Sequence, residues 1–432
     1  MASVTGARTA GDLTPEQHAA IRQQLVLIPV YIWIAYMWWM FFMHLPVGAA
    51  RIQEHASRDF VHFYTQGAIA RTHDAHALYD IDAMAAVVAR VVPVPVHVRF
   101  PPVYGPHVSV LFAPLASLDY VIALRVWLAL TLAGYALCMY AVWRGCRSLH
   151  RYRWSAVMFA VGAPGLHFAL SFGQISVLGL VCFTALWLAL RHDRPWLAGL
   201  AVGALAYKPQ LGVVAAFVFI LRGQWRIVGG ALVAVIAQAL AGLLYWGPSI
   251  YSGYVRAIQA LPALINDMEP DKSLMHSWRG LFLHLGLSPG LSLGLTVAVS
   301  AATILLVVRN WRPDADLRPR YVLLVVATLL VDAHMYAYDL LLLAPALLIA
   351  WDWASDLRGT TVGAMALPWT IPAMARLDAG LLAAALTMFV YASPIVTIAL
   401  PTVPIQWAVV AFLTLGALLV AGLRHDPSTA HV

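Results

Sequence analysis

The sequence predicts an all-α fold, a polytopic bundle of about 11–13 transmembrane helices in a single domain over residues 25–423, each span needing ~20 apolar residues. Three observations carry this. Of the 432 residues, 62% are hydrophobic and only 11% charged, with a mean hydropathy of +0.77, whereas soluble domains carry about 25% charge. Long apolar runs recur through most of the chain. Arginines gather in short clusters between those runs, where loop charge orients helices in a bilayer. Lipid offers backbone groups no water, so runs of this length read as helices; a barrel would show short alternating segments.

Residues 1–24 read as a polar cytoplasmic tail with an interfacial helix after Thr14-Pro15-Glu16, and no secretory signal is evident. The first span, 25–46, holds Trp33, Trp38 and Trp39. A polar outside loop follows at 47–106. It is expected to contain short amphipathic helices near 60–72 and 80–91, then a proline-rich turn region at 93–106. The apolar run 107–117 is too short to cross and reads as re-entrant or as lying along the membrane face. Residues 120–143 make a full span, and Arg144, Arg147, Arg151 and Arg153 mark a cytoplasmic loop after it. Further inside loops fall at Arg191–Arg194, Arg222–Arg226 and Arg309–Arg320. Spans are expected at 154–170, 174–190, 195–207, 210–221, 227–247, 289–308, 321–333 and 338–352, with two or three more within 361–423 and a tail at 424–432. By parity the loops 47–106 and 248–280 lie outside, with the turns at Gly173-Gln174, Lys208-Pro209-Gln210 and His334 to Asp339.

The formal charge of +7 is spread over these orienting loops, which argues against a nucleic-acid partner. Cys138, Cys146 and Cys182 lie in or beside apolar runs. They offer neither a disulfide framework nor a metal-ligand spacing, so no metal and no cofactor are expected.

Five polar interruptions are candidates for chemistry. Asp59 follows Arg58 and precedes Phe60, Phe63 and Tyr64 at the start of the outside loop. A carboxylate held there suits a general base toward a hydroxyl, although an acid beside a span is equally a solvated loop residue and Glu54, Asp74, Asp80 and Asp82 compete with it in the same loop. Lys208 separates two half-length apolar runs, at a cost of about 2.5–3.5 kcal/mol for a lysine at mid-membrane. It reads as a compact charge for a lipid phosphate or as a snorkelling side chain. Gln174, after Phe172-Gly173, reads as a turn or as a hydrogen-bonding partner for a sugar hydroxyl. The stretch Asp332-Ala333-His334-Met335-Tyr336-Ala337-Tyr338-Asp339 breaks an apolar segment with ionisable groups, which default to function inside a membrane; the plain alternative is an interfacial belt. His334 is the candidate phosphate or sugar ligand of that stretch. In His276-Ser277-Trp278-Arg279-Gly280, Arg279 would grip a phosphate or anchor the loop. Tyr64, Gln174, Gln210, Tyr336 and Asp339 form the candidate sugar or acceptor set, and Lys208, Arg279 and His334 the phosphate set.

These residues resemble the polyprenol-phosphate-mannose-dependent α-mannosyltransferases, glycosyltransferase family 87 of the GT-C membrane glycosyltransferases. The marks are Asp59-Phe60 with Tyr64 and Gly67, Leu78-Tyr79-Asp80, Phe100-Pro101-Pro102 running into Leu111-Phe112-Ala113-Pro114-Leu115, and Gly173-Gln174. They continue through Arg194-Pro195-Trp196-Leu197-Ala198-Gly199, Lys208-Pro209-Gln210, Ser277-Trp278-Arg279-Gly280 and His334. The resemblance covers roughly residues 25–350. It implies a GT-C fold, a catalytic aspartate falling on Asp59, a polyprenyl-phosphate-linked sugar donor and a cavity on the non-cytoplasmic side of the plasma (inner) membrane. The family often has Tyr-Pro-Pro where Phe100-Pro101-Pro102 stands, and its break near His334 often carries a second histidine or a serine-rich lead.

The expected reaction moves a hexose, mannose first among candidates, from polyprenyl phosphate to a hydroxyl of a lipid- or glycan-linked acceptor among the membrane lipids. Asp59 would be the base, and the anomeric carbon would invert. The same cations without a base would suit a transporter or flippase of a lipid-linked sugar, or a non-catalytic subunit of an envelope assembly.

Overall fold

The computed structural model describes residues 28, 31–43, 45–96, 99–268, 274–356, 379–399 and 406–424. The tail helix expected after Thr14, the stretch 361–378 and the tail from 425 onward lie outside the described residues. Helices and short 3-10 turns make up the regular structure that is described, with one isolated antiparallel bridge between Met275 and Tyr336.

In chain order, α1 (Tyr31–Met43) leads into a group of short helices: α2 (Ala49–Ala56), α3 (Phe60–Thr72), α4 (Ala75–Tyr79), α5 (Ile81–Val91) and α6 (Pro106–Phe112). The bundle proper begins with α7 (Tyr120–Trp143), α8 (Arg153–Val161), α9 (Pro164–Phe172) and α10 (Ser176–Arg191). It continues through α11 (Pro195–Gly203), α12 (Val213–Leu221), α13 (Trp225–Trp246), α14 (Ile250–Met268) and α15 (Trp278–His284). It ends with α16 (Pro289–Asn310), α17 (Leu317–Val331), α18 (Leu343–Asp356), α19 (Ala379–Ala399) and α20 (Trp407–Arg424).

Among the described residues, five segments are long and apolar enough to cross a bilayer: α7, the joined α8–α9, α13, α16, and α18 with the turn before it. At ~1.5 Å per residue a 22-residue helix reaches about 33 Å, enough for a hydrocarbon core ~30 Å thick. On α7 the buried residues Ala123, Trp127, Thr131, Tyr135, Cys138 and Val142 recur every three or four positions, while Ile122, Val126, Leu130 and Leu137 stay exposed. One stripe thus packs on the bundle and the other is left for lipid.

The run 107–117 does not cross. It forms the seven-residue α6 and a 3-10 turn at Leu115–Ser117, and it packs between α3 and α13. Gly67 makes this approach possible, since a Cβ there would stand 2.4 Å from the Phe112 carbonyl oxygen.

The helix at 80–91 is amphipathic as expected, burying Met84, Val87 and Val88. The one near 60–72 is not. Phe60 through Gly67, with Ile69 and Ala70, are all buried, because α5, α6 and the Leu115–Ser117 turn enclose α3. Along α3 the apolar residues are spread around the helix rather than gathered on one stripe, so the expected polar face is not there.

Three breaks in the bundle meet at one end: Gly173 after α9, the 3-10 turns Ala204–Tyr207 and Pro209–Gly212 on either side of Lys208, and Asp332 after α17. The start of α17 and the end of α18 lie at the opposite end. Arg318 there bonds Asp352, about 20 Å along the helix from Asp339 at ~1.5 Å per residue.

Candidate active site

Asp59 stands at the N-cap of α3, where an aspartate side chain ordinarily accepts from the helix's own first N–H groups. It makes no such bond. Its Oδ2 instead accepts from Gln174 Nε2 at 3.2 Å. Gln174 is buried and its Oε1 accepts the Ile175 N–H at 2.7 Å, which fixes the amide with its nitrogen toward Asp59. Oδ1 of Asp59 accepts no hydrogen bond from the described residues, and the residue keeps some accessible surface.

Gly173 joins these two parts. It ends α9 with φ +63°, and a Cβ there would lie 2.6 Å from that of Phe60. Left-handed backbone and close approach together require glycine. Its carbonyl accepts the Trp127 indole N–H at 3.0 Å, so α7, α9 and the start of α3 are fastened at one point.

Burial pushes the Asp59 carboxyl up from its ordinary value to about 6. The Gln174 hydrogen bond, and the charges of His334 and Lys208, pull it down, and Asp339 pushes it up. Each of these groups is therefore close enough to act on Asp59.

Lys208 and Asp339 form a buried ion pair. Nζ donates to both carboxylate oxygens, at 2.7 and 2.6 Å, and the side chains are 3% and 0% exposed. Ser176 Oγ donates to Asp339 Oδ1 at 2.8 Å. The ammonium also lies 5.2 Å from the centroid of the Tyr338 ring. The chain resolves the cost of a lysine at this depth internally: the charge expected to await a phosphate already has a carboxylate on it.

His334 follows Asp332, whose Oδ1 accepts the His334 N–H at 2.9 Å. Its ring lies 4.8 Å from Tyr336, which stacks on Tyr338 at 5.7 Å. The stretch from Met275 to Arg279 docks on this break. Besides the Met275–Tyr336 bridge, His276 N–H donates to the Met335 carbonyl at 3.2 Å and Arg279 Nη1 to that of Ala333 at 3.1 Å. Two interruptions far apart in sequence are thus one structural unit.

Of the residues expected at the site, the structure gathers Asp59, Gln174, Lys208, His334 and Asp339, with Tyr336 against His334 and Arg279 tied to the same break. It does not bring Tyr64 in: that hydroxyl donates to the Leu118 carbonyl at 2.9 Å and the ring packs on Tyr120. Gln210 is half-buried past Lys208 and makes no hydrogen bond among the described residues. Three neighbours were missed as site residues. Ser176 and Tyr338 bear on the ion pair, and Tyr104 is close enough to Asp59 and Gln174 for both to act on its hydroxyl, which burial pushes upward. Tyr104 and Tyr338 lie within stretches that stood out in the sequence. Ser176 carried no signal, since a serine opening an apolar helix is ordinary.

Helical structure with five crossing-length helices among the described residues, and an acid-centred polar cluster at one end, define a multi-pass membrane protein with an enzyme-like site. Residues 103–335 match the family model for glycosyltransferase family 87, more than half of the chain. The chain belongs to that family and is a membrane glycosyltransferase of the GT-C type. No curated protein and no solved structure matches it. The matched region contains Gln174, Lys208, Gln210, Arg279 and His334, whereas Asp59, Tyr64, Tyr336 and Asp339 fall outside it.

Proposed function

We propose that the protein transfers a hexose, mannose by its family resemblance, from a polyprenyl phosphate to a hydroxyl of a lipid- or glycan-linked acceptor. The observation that carries this reading is the half-held carboxylate of Asp59: Oδ2 fixed by Gln174, Oδ1 open, and the pKa pushed to about 6. A base works best when its pKa lies near the working pH.

The acceptor oxygen attacks the anomeric carbon while the carbon–oxygen bond to phosphate breaks. Its proton passes to Asp59 Oδ1, and the electron pair of the broken bond stays on the phosphate. One displacement with one base inverts the anomeric centre. Charge grows on the phosphate as it leaves, and preplaced cations stabilise it there. Arg279 serves this role directly, and His334 adds a hydrogen-bonding ring nitrogen. Lys208 serves it through the pair with Asp339, which gives the ammonium a fixed position and spends part of its charge. Tyr336, beside His334, offers the sugar a stacking face. The site faces the non-cytoplasmic side of the plasma membrane, where donor and acceptor both reach it within the outer leaflet.

The test is to incubate purified protein with a radiolabelled polyprenyl-phosphate mannose and a membrane extract. Label should move into a new lipid or glycan with wild type and stay on the donor with Asp59→Asn. Equal transfer by the two proteins overturns the reading.

A further inference from the structure

A cavity of about 630 Å³ opens at the end of the bundle away from Asp59, where α7, α10, α17 and α18 begin or end. That volume is in the range of small-ligand sites. Its charged lining is balanced, with Arg147, Arg191, Arg318 and Arg320 facing Asp193, Asp316, Asp352 and Asp356. Its hydrogen bonding is not.

Arg318 bonds Asp316, Asp352 and Asp356 together. The oxygens those bonds leave over on Asp352 and Asp356 accept from the Ser148 N–H and hydroxyl. The three carboxylates are thus satisfied by the protein, and Asp193 sits exposed at the rim. The other three arginines are in the opposite condition. Arg320 is only 9% exposed. Its Nε donates to the Asp316 carbonyl and its guanidinium lies 5.5 Å from the centroid of the Trp311 ring, yet its terminal nitrogens have no acceptor among the described residues. Arg147 and Arg191 are exposed and likewise have no hydrogen bond or ion pair among them. Trp187, 3% exposed and part of the same lining, has an indole N–H without an acceptor. A buried guanidinium with unused donors is costly unless something accepts from it.

We propose that this cavity is a second binding site, for a phosphate-bearing anion, with Arg320 as its buried anchor and Arg147 and Arg191 closing on it from the rim. A phosphate has several acceptor oxygens and matches the planar fork of arginine, so it meets the surplus of donors without disturbing the acids that Arg318 already holds. The same chemistry is presented by a soluble polyphosphate and by an anionic lipid headgroup.

The full chain in nanodiscs separates these sources. Inorganic pyrophosphate is titrated by calorimetry against protein in phosphatidylcholine, and retention of phosphatidylglycerol against phosphatidylcholine is read by native mass spectrometry. One of the two probes should bind wild type. It should bind at least about tenfold more weakly, ~1.4 kcal/mol, to Arg320→Gln and to the double variant Arg147→Gln/Arg191→Gln. Arg144→Gln, an exposed arginine outside the lining, should bind as wild type does. Binding of pyrophosphate assigns the site to a soluble ligand, and retention of phosphatidylglycerol alone assigns it to a lipid headgroup. The double variant decides the matter if Arg320→Gln fails to fold. Binding of neither probe, equal binding by the double variant, or loss of binding in Asp59→Asn would overturn the proposal. The last outcome would put the probe at the transfer site.

Discussion

The two ends of the bundle are built from the same materials and left in opposite states. At the Arg318 end every carboxylate of the network has its donors, and what remains unused is a set of arginine N–H groups. At the Asp59 end Lys208 gives itself to Asp339, and what remain unused are carboxylate oxygens, Oδ1 of Asp59 and the buried Oδ2 of Asp332. A leftover acceptor can take a proton from a hydroxyl, whereas leftover donors can only hold an anion. The difference teaches that an ion pair is a poor marker of a site, and that the unmatched atom beside it is a better one.

The sharpest way to break the contrast is Asp59→Asn. Removing a general base costs about 10²–10⁴-fold in rate, so label transfer should nearly vanish while the folded protein survives. Its stability should move the other way. Asp59 has its folded pKa raised, so its stabilising contribution is fully present below the ordinary carboxylate value and is lost as pH rises through about 6. At pH 8 the asparagine variant should therefore melt no lower than wild type in a thermal-shift assay. A collapse of the fold would show instead that the carboxylate is structural.

Next in size is the buried pair. Lys208→Met leaves Asp339 without its cation at 0% exposure, a change worth about 3–5 kcal/mol, and the melting temperature should fall accordingly. The double variant Lys208→Met/Asp339→Leu removes both charges and should recover most of that loss. If transfer returns with stability, Lys208 is scaffolding; if it does not, Lys208 meets the phosphate.

A smaller effect sharpens the role of Gln174. Its hydrogen bond holds the Asp59 pKa down, so Gln174→Ala should push it further up. The wild-type rate of transfer should fall as pH drops below about 6, and the variant's limb should lie at higher pH. Matching profiles would mean that Gln174 touches substrate rather than the base. Smallest of all is Asp356→Asn at the far end. Its side chain is 47% exposed and remains one of three partners of Arg318, so a loss within ~1 kcal/mol and unchanged transfer are expected.

How much of the site was legible depended on how local each signal was. Lys208 and His334 each interrupt an apolar run, and such a break is visible from a few neighbours on either side, whereas Asp59 stands in a polar loop and is marked by Phe60, Phe63 and Tyr64 after it. The helix near 60–72 shows the limit, because its burial depends on α5 and α6, whose positions no window of α3 contains. Tyr64 illustrates the same limit. It lies one helical turn past Phe60, and its hydroxyl is turned to Leu118, away from Asp59.

By itself the sequence determined that this is a helical membrane protein, roughly where its helices break, and which ionisable groups stand at the breaks. Hydropathy and proline act along the chain, over distances the chain itself spans. Only the tertiary structure decided that Lys208 belongs to Asp339, 131 residues away, and that Gln174 reaches Asp59 across 115. A salt bridge or a hydrogen bond is set by a few ångströms of space, and packing alone fixes which distant residues share them.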